Sequence, residues 1–211
     1  IVTTGDLSAG ARGLGMGGAQ IGAANDVSAV ISNPAALARI GNAEAQLGLS
    51  LVQRNISSRL NSSLANGRGE YDDSALSLGS LGIAYPVPTN QGSLVFALGY
   101  HRVKDFTGTF QLSGYDAEAF VTDNDIWGGD FGNETVEKGG LDVFSFAGGV
   151  DVAPNVSLGL SLDIWTGSYS VDKRYVRNDT VGGVSWLDLN GGEDDITAWS
   201  LKPSMLYFTD N

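Results

Sequence analysis

SLGLSLDI, residues 157–164, alternates without exception: Leu158, Leu160, Leu162 and Ile164 stand at one parity, and Ser157, Gly159, Ser161 and Asp163 at the other. Successive side chains of an extended chain point to opposite faces, so this is a β-strand with one oily face and one small, polar face. The same pattern recurs on either side of it. Ala43, Ala45, Leu47, Leu49 and Leu51 oppose Glu44, Gln46, Gly48 and Ser50. Leu94, Phe96, Leu98 and Tyr100 oppose Ser93, Val95, Ala97, Gly99 and His101. Phe144, Phe146, Val150 and Val152 oppose Ser145, Ala147, Gly149 and Asp151. Trp199, Leu201, Met205 and Tyr207 oppose Lys202 and Ser204, with Pro203 inside the run marking a bulge or an unpaired position. One segment changes phase. Leu76 and Leu78 share a parity that Leu81, Ile83 and Tyr85 do not, and a bulge near Gly79-Ser80 reconciles them.

These readings give six antiparallel strands, near 43–54, 75–86, 93–103, 141–152, 157–164 and 197–208, the fifth continuing through Tyr169 towards Tyr175. The connections between them alternate. Polar stretches at 55–74, 104–140 and 176–195 read as long loops, while Val87–Gly92 and Ala153-Pro154-Asn155 read as tight turns. Long loops on one side, short turns on the other, and Tyr85, Tyr100, Trp199 and Tyr207 near the ends of oily faces are the pattern of a transmembrane β-barrel. A soluble antiparallel sandwich also alternates, but its connections need not alternate in length.

Composition narrows the function classes. Net charge is −12, from 24 acidic and 12 basic residues, which argues against nucleic acid as a partner. Cysteine is absent, so there is neither a disulfide framework nor a thiolate metal site. No apolar run reaches the length of a transmembrane helix, an absence that leaves a barrel open because its strands give a weaker signal. Ile1 in place of Met fits a processed, exported chain.

The first 42 residues are of another kind. ARGLGMGGAQIGAANDVSAVISNPAALARI, residues 11–40, is rich in Gly and Ala and nearly uncharged. Asp26 is placed to cap a short helical turn over 27–31. Asn33-Pro34-Ala35 reads as a cap, a proline at the first helical position and a helix former, with Gly41 as the stop. Too few large apolar side chains are present for this segment to fold alone.

Gly15-Met16-Gly17-Gly18-Ala19, then Asp26, then Asn33-Pro34-Ala35 resembles the N-terminal region of the FadL/TodX-type outer-membrane transporters, and is similar also to PorV-type barrels. The resemblance covers about forty residues and implies a hatch over 1–42 inside a barrel that begins at 43. Arg12, Gly15, Gly17, Asp26, Asn33, Pro34 and Ala35 are then the hatch and gating residues. It also implies passage of long-chain fatty acids or aromatic hydrocarbons, and a kinked strand opening a lateral exit, for which Gly79-Ser80 is the candidate. The PorV-like alternative is a protein-binding accessory in secretion or surface attachment, with its long loops as the docking surface. A soluble, secreted acidic β-domain is the second alternative.

A strand needs about 9 to 11 residues to cross a bilayer, and the smallest bacterial barrels have about eight strands. Six strands leave two open edges in lipid, so residues 43–211 are expected to be the first part of a longer barrel, or one of several copies completing one. The expected partners are outer-membrane lipid, a small hydrophobic ligand and, in the PorV-like alternative, a protein at the outer loops. The loop 104–140 offers Phe106, Phe110, Phe120 and Trp127 to gather such a ligand.

Other motifs carry less. Gly13, Gly15 and Gly18 spell a dinucleotide fingerprint but lack the preceding strand and the distant acidic residue. Asp123, Asp125 and Glu134 hold three positions of a calcium loop, yet Trp127 occupies a ligand position. His101, the sole histidine, has no nucleophile-elbow motif to serve. Neither enzyme activity nor a cofactor is expected.

Overall fold

The computed structural model describes residues 10–17, 19–121, 125–179 and 185–208. Ile1, Gly18, Asp123 and Asn124 lie outside the described residues, as does the terminal 209–211. Among the described residues seven strands form one antiparallel sheet: β1 (Glu44–Asn61), β2 (Ala65–Val87), β3 (Leu94–Asp105), β4 (Gly108–Val121), β5 (Ile126–Ala153), β6 (Val156–Asp179) and β7 (Ser185–Tyr207). Their order is β1-β2-β3-β5-β6-β7, with β4 pairing β2 and β5.

Registers align the alternating residues into rows that cross the whole sheet. One row reads Leu47, Leu81, Tyr100, Phe144, Ile164 and Trp199, and the next Ala45, Ile83, Leu98, Phe146, Leu162 and Leu201. Between them, on the opposite face, runs Gln46, Gly82, Gly99, Ser145, Asp163 and Ser200. The oily rows are exposed, Leu51 at 73% and Trp199 at 76%, whereas Val95, Ser157 and Ser161 on the other face are fully buried. The pleat thus places leucine and phenylalanine on the open side of the sheet and Gly, Ala and Ser on the covered side.

What covers that side is the N-terminal segment. Helix α1 (Gly10–Gly15) leads to α2 (Ala29–Ser32) and a 3-10 turn, Pro34–Arg39. The Asn33 side chain accepts from Ala35 N–H at 3.2 Å and Pro34 opens the turn, as expected from Asn-Pro-Ala. Asp26 caps differently. It accepts from Ser28 N–H at 2.9 Å and from the Ser28 hydroxyl, an Asx-turn ahead of α2. The stop is Ile40 in extended conformation; Gly41 has no positive φ. Val27, Val30, Ala35, Ala36, Leu37 and Ile40 form one buried cluster with Ala84, Val95, Ala97, Ala147 and Leu206 of the sheet.

The bulge expected at Gly79-Ser80 is present. Gly48 pairs with Ser80 and Leu49 with Leu78, leaving Gly79 as the extra residue and returning Leu76 and Leu78 to the exposed face. Three expectations change. The stretch 104–140 is not a loop but β4 and the first half of β5, and 55–74 and 176–195 are largely strand as well. These outer portions are richer in polar residues and put apolar ones on both parities, Trp186 beside Leu187 for one, so only short runs of alternation mark them in the sequence, and their ladder hydrogen bonds define them. The connections are consequently all short, and what alternates is how far the strands run beyond the oily band. Pro203 causes no register shift. On β7 it pairs with Leu160 of β6, and among the described residues β7 has a neighbour on that side only, so a missing N–H is tolerated.

Candidate functional site

The site is the covered face of the sheet with the segment seated on it. Glycines set the distance of approach. Gly149 and Gly159 are register partners under the 3-10 turn. A Cβ on Gly149 would lie 2.7 Å from the Pro34 carbonyl oxygen, and one on Gly159 would overlap the Ala35 backbone nitrogen. Gly82 and Gly99, also partners, leave room for Val27 and Val30 in the same way.

Polar side chains fasten the contact. Ala35 N–H donates to Ser204 Oγ at 2.8 Å, and Lys202 Nζ donates to the Ile31 carbonyl at 2.6 Å. The same ammonium stands 3.2 Å from Asp163 Oδ2, and Asp163 is 2% exposed. Ser145 donates to Asp163 Oδ1 at 2.6 Å and Ser161 donates to it too. A carboxylate without water needs such partners, and the strands β5, β6 and β7 each supply one.

The sequence-designated hatch residues divide. Pro34 and Ala35 are buried on the sheet. Arg12 is exposed, donates to Asn25 and lies 3.6 Å from Asp26. Asp26 and Asn33 bond within the segment, Asn33 Nδ2 reaching the Ile21 carbonyl at 2.9 Å, so neither fastens it to the sheet through these bonds. Gly15 and Gly17 have open space where a Cβ would be, and Gly17 is needed instead for its φ of +61°. Lys202, Asp163 and Ser204 went undesignated; the signal was a lysine and an aspartate on the small-residue parity of two strands.

A second feature lies between β2 and its neighbours. Residues 80–87 pair with β3 and residues 65–72 with β4, so among the described residues 73–79 and 102–108 have no ladder partner across this seam. β3 and β4 are successive runs of one row, both continuous with β5. The seam opens at the Gly79 bulge, where His101 Nδ1 bonds the Gly79 carbonyl at 2.9 Å. Just beyond the oily band, Arg102 grips Asp142 in two bonds of 2.9 and 3.2 Å, and Tyr100 donates to the same carboxylate.

Of the four ligand-gathering aromatics, only Phe120 and Trp127 are brought opposite each other, as backbone register partners. Phe106 packs edge-on against Tyr169 at 5.3 Å, Phe110 pairs with Tyr71 and Thr135, and Trp127 pairs in backbone register with Phe120. The calcium-loop candidates separate as well. Asp123 lies outside the described residues, and 126–134 is extended strand, which carries Glu134 about 30 Å from Asp125. Glu134 accepts instead from Gln111 at 3.1 Å.

Beyond the oily band, Tyr169 donates to Glu137 Oε1 at 2.8 Å. That hydrogen bond, which the phenol makes only while protonated, holds its pKa above the ordinary 10.0. No family model matches the sequence, and no curated protein matches it.

Proposed function

We propose that the chain is part of the wall of an outer-membrane β-barrel, with residues 20–40 as a hatch inside it, and that it passes small hydrophobic molecules such as long-chain fatty acids. The observation that carries this reading is the inverted face pattern. Leucine, phenylalanine and tryptophan rows stand exposed across six strands, while Gly, Ala, Ser and Asp rows are buried under a short segment. A contiguous apolar surface of this extent in water would aggregate, whereas lipid is its natural solvent. In lipid the outer edges of β1 and β7 need further strands, because unpaired backbone groups there cost several kcal/mol each.

The seam at 73–79 supports a sideways exit. An apolar molecule entering from outside meets the stopper, and the unpaired stretch offers a path into the bilayer without crossing a ladder of hydrogen bonds. In this reading the protein is a passive channel and not an enzyme. A cysteine pair at Ala35 and Ser204 tests the hatch, since the chain has no other thiol. Oxidation should abolish uptake of a labelled fatty acid and reduction should restore it; uptake indifferent to oxidation removes the gating role.

One observation favours a second reading, a PorV-like partner-binding barrel. Trp186, Leu187 and Leu189 at the outer start of β7 are all more than half exposed, on both faces of the strand. Co-purification of a secreted protein, lost in Trp186→Ser, would support that alternative.

A further inference from the structure

Docking of the segment over the sheet is mostly a matter of apolar surfaces meeting, Ala, Val, Leu37 and Ile40 against Gly, Ala and Val95. Such contacts are weakly directional. Among the described residues three contacts are directional: the Ala35 N–H bond to Ser204, the Arg39 guanidinium over the Phe208 ring at 5.3 Å, and Lys202, whose ammonium is shared between a wall carboxylate, Asp163, and a segment carbonyl, Ile31. Asp163 is held on its other oxygen by Ser145 and Ser161, so the carboxylate is fixed by the wall whether or not the segment is present. Ile31 is the penultimate residue of α2, and the Lys202 bond satisfies a carbonyl at the helix C-terminus, where a cation is favoured.

We propose that Lys202 is the latch of the segment: Asp163 positions its ammonium, and the bond to the Ile31 carbonyl holds residues 20–40 on the wall. The latch rests on the hatch reading for its purpose but not for its test. With the bond made, the segment is seated; with it broken, the Ser204 bond, the Arg39–Phe208 contact and the apolar packing of Leu37 and Ile40 remain and hold it less firmly. Release breaks one charge-assisted hydrogen bond, leaves the Lys202–Asp163 pair intact inside the wall, and requires no rearrangement of the sheet.

Hydrogen exchange of the full chain in detergent micelles tests this. The reporters are the Asn33, Ala36 and Ile40 amides of the segment, set against amides of β6 and β7. Lys202→Met should speed segment exchange by about ten-fold or more, the amount one charge-assisted hydrogen bond is worth. Because that variant also strands a buried carboxylate, the double variant Asp163→Asn/Lys202→Met restores charge balance in the wall. It should keep the segment fast while the strand amides return to wild-type rates. The latch is wrong if the double variant also returns the segment to its slow rate, or if segment and strands accelerate together in it. Fast segment exchange with unchanged fatty-acid uptake leaves the latch standing and removes the gating role of the segment, whereas uptake absent from wild type and variant alike leaves the latch standing and sinks the transport reading.

Discussion

Ala35 rests directly on Gly159: the space a Cβ would need on the glycine is taken by the alanine's backbone nitrogen. Helical backbone meets strand backbone there with nothing between them. The consequence is that the position tolerates no side chain while the segment is seated. Gly159→Val should lift the 3-10 turn, at a cost of about 1–3 kcal/mol typical of overpacking. Limited proteolysis should then cut within residues 20–40 while the strands stay resistant. Resistance equal to wild type would show that the turn docks elsewhere.

The oily face makes a depth-dependent prediction. Leu162 sits mid-row between Phe146 and Leu201, whereas Leu189 lies far out on β7, opposite Arg174. In a bilayer, Leu162→Arg should cost about 2–4 kcal/mol of folding free energy and Leu189→Arg nearly nothing. Folding titrations into lipid vesicles measure both. Equal penalties would mean that the band does not face lipid.

The seam between β2 and β3/β4 predicts a cross-linking result. Extending the Ser80–His101 register assigns Ser77 and Lys104 to matching positions on either side of the unpaired stretch. Joining Ser77→Cys and Lys104→Cys with a short bifunctional maleimide should stop apolar uptake and leave the fold unchanged by circular dichroism. Uptake at the wild-type rate after full cross-linking would rule out exit by this route.

Tyr169 gives a pH test away from the oily band. Its pKa is raised in the folded chain, chiefly by the Glu137 bond, so the stability it contributes is complete below pH 10 and is lost as pH climbs through the raised value. Ultraviolet titration of wild type against Tyr169→Phe should reveal a phenol ionising above the ordinary range. Glu137→Gln should bring that ionisation down, and an unmoved titration would place the cause elsewhere.

Much of this was legible in the sequence because period-two alternation is a direct projection of the pleat. Residues 157–164 announced their two faces, and the phase change from Leu78 to Leu81 located the bulge to within a residue. Asn33-Pro34-Ala35 announced its own turn, since a cap bond spans two residues and needs no distant partner. The outer halves of the strands were silent. They are richer in polar residues and carry no sustained oily parity, and Gly108–Val121 read as loop for that reason.

What the sequence by itself determined is which residues share a face, because side-chain direction in an extended chain is local geometry. What only the tertiary structure decided is which face is covered and by what. Lys202 and Ile31 are 171 residues apart, and no local pattern encodes their contact. It exists because register stacks β5, β6 and β7 side by side, bringing Ser145, Asp163 and Lys202 under a segment folded back from the start of the chain.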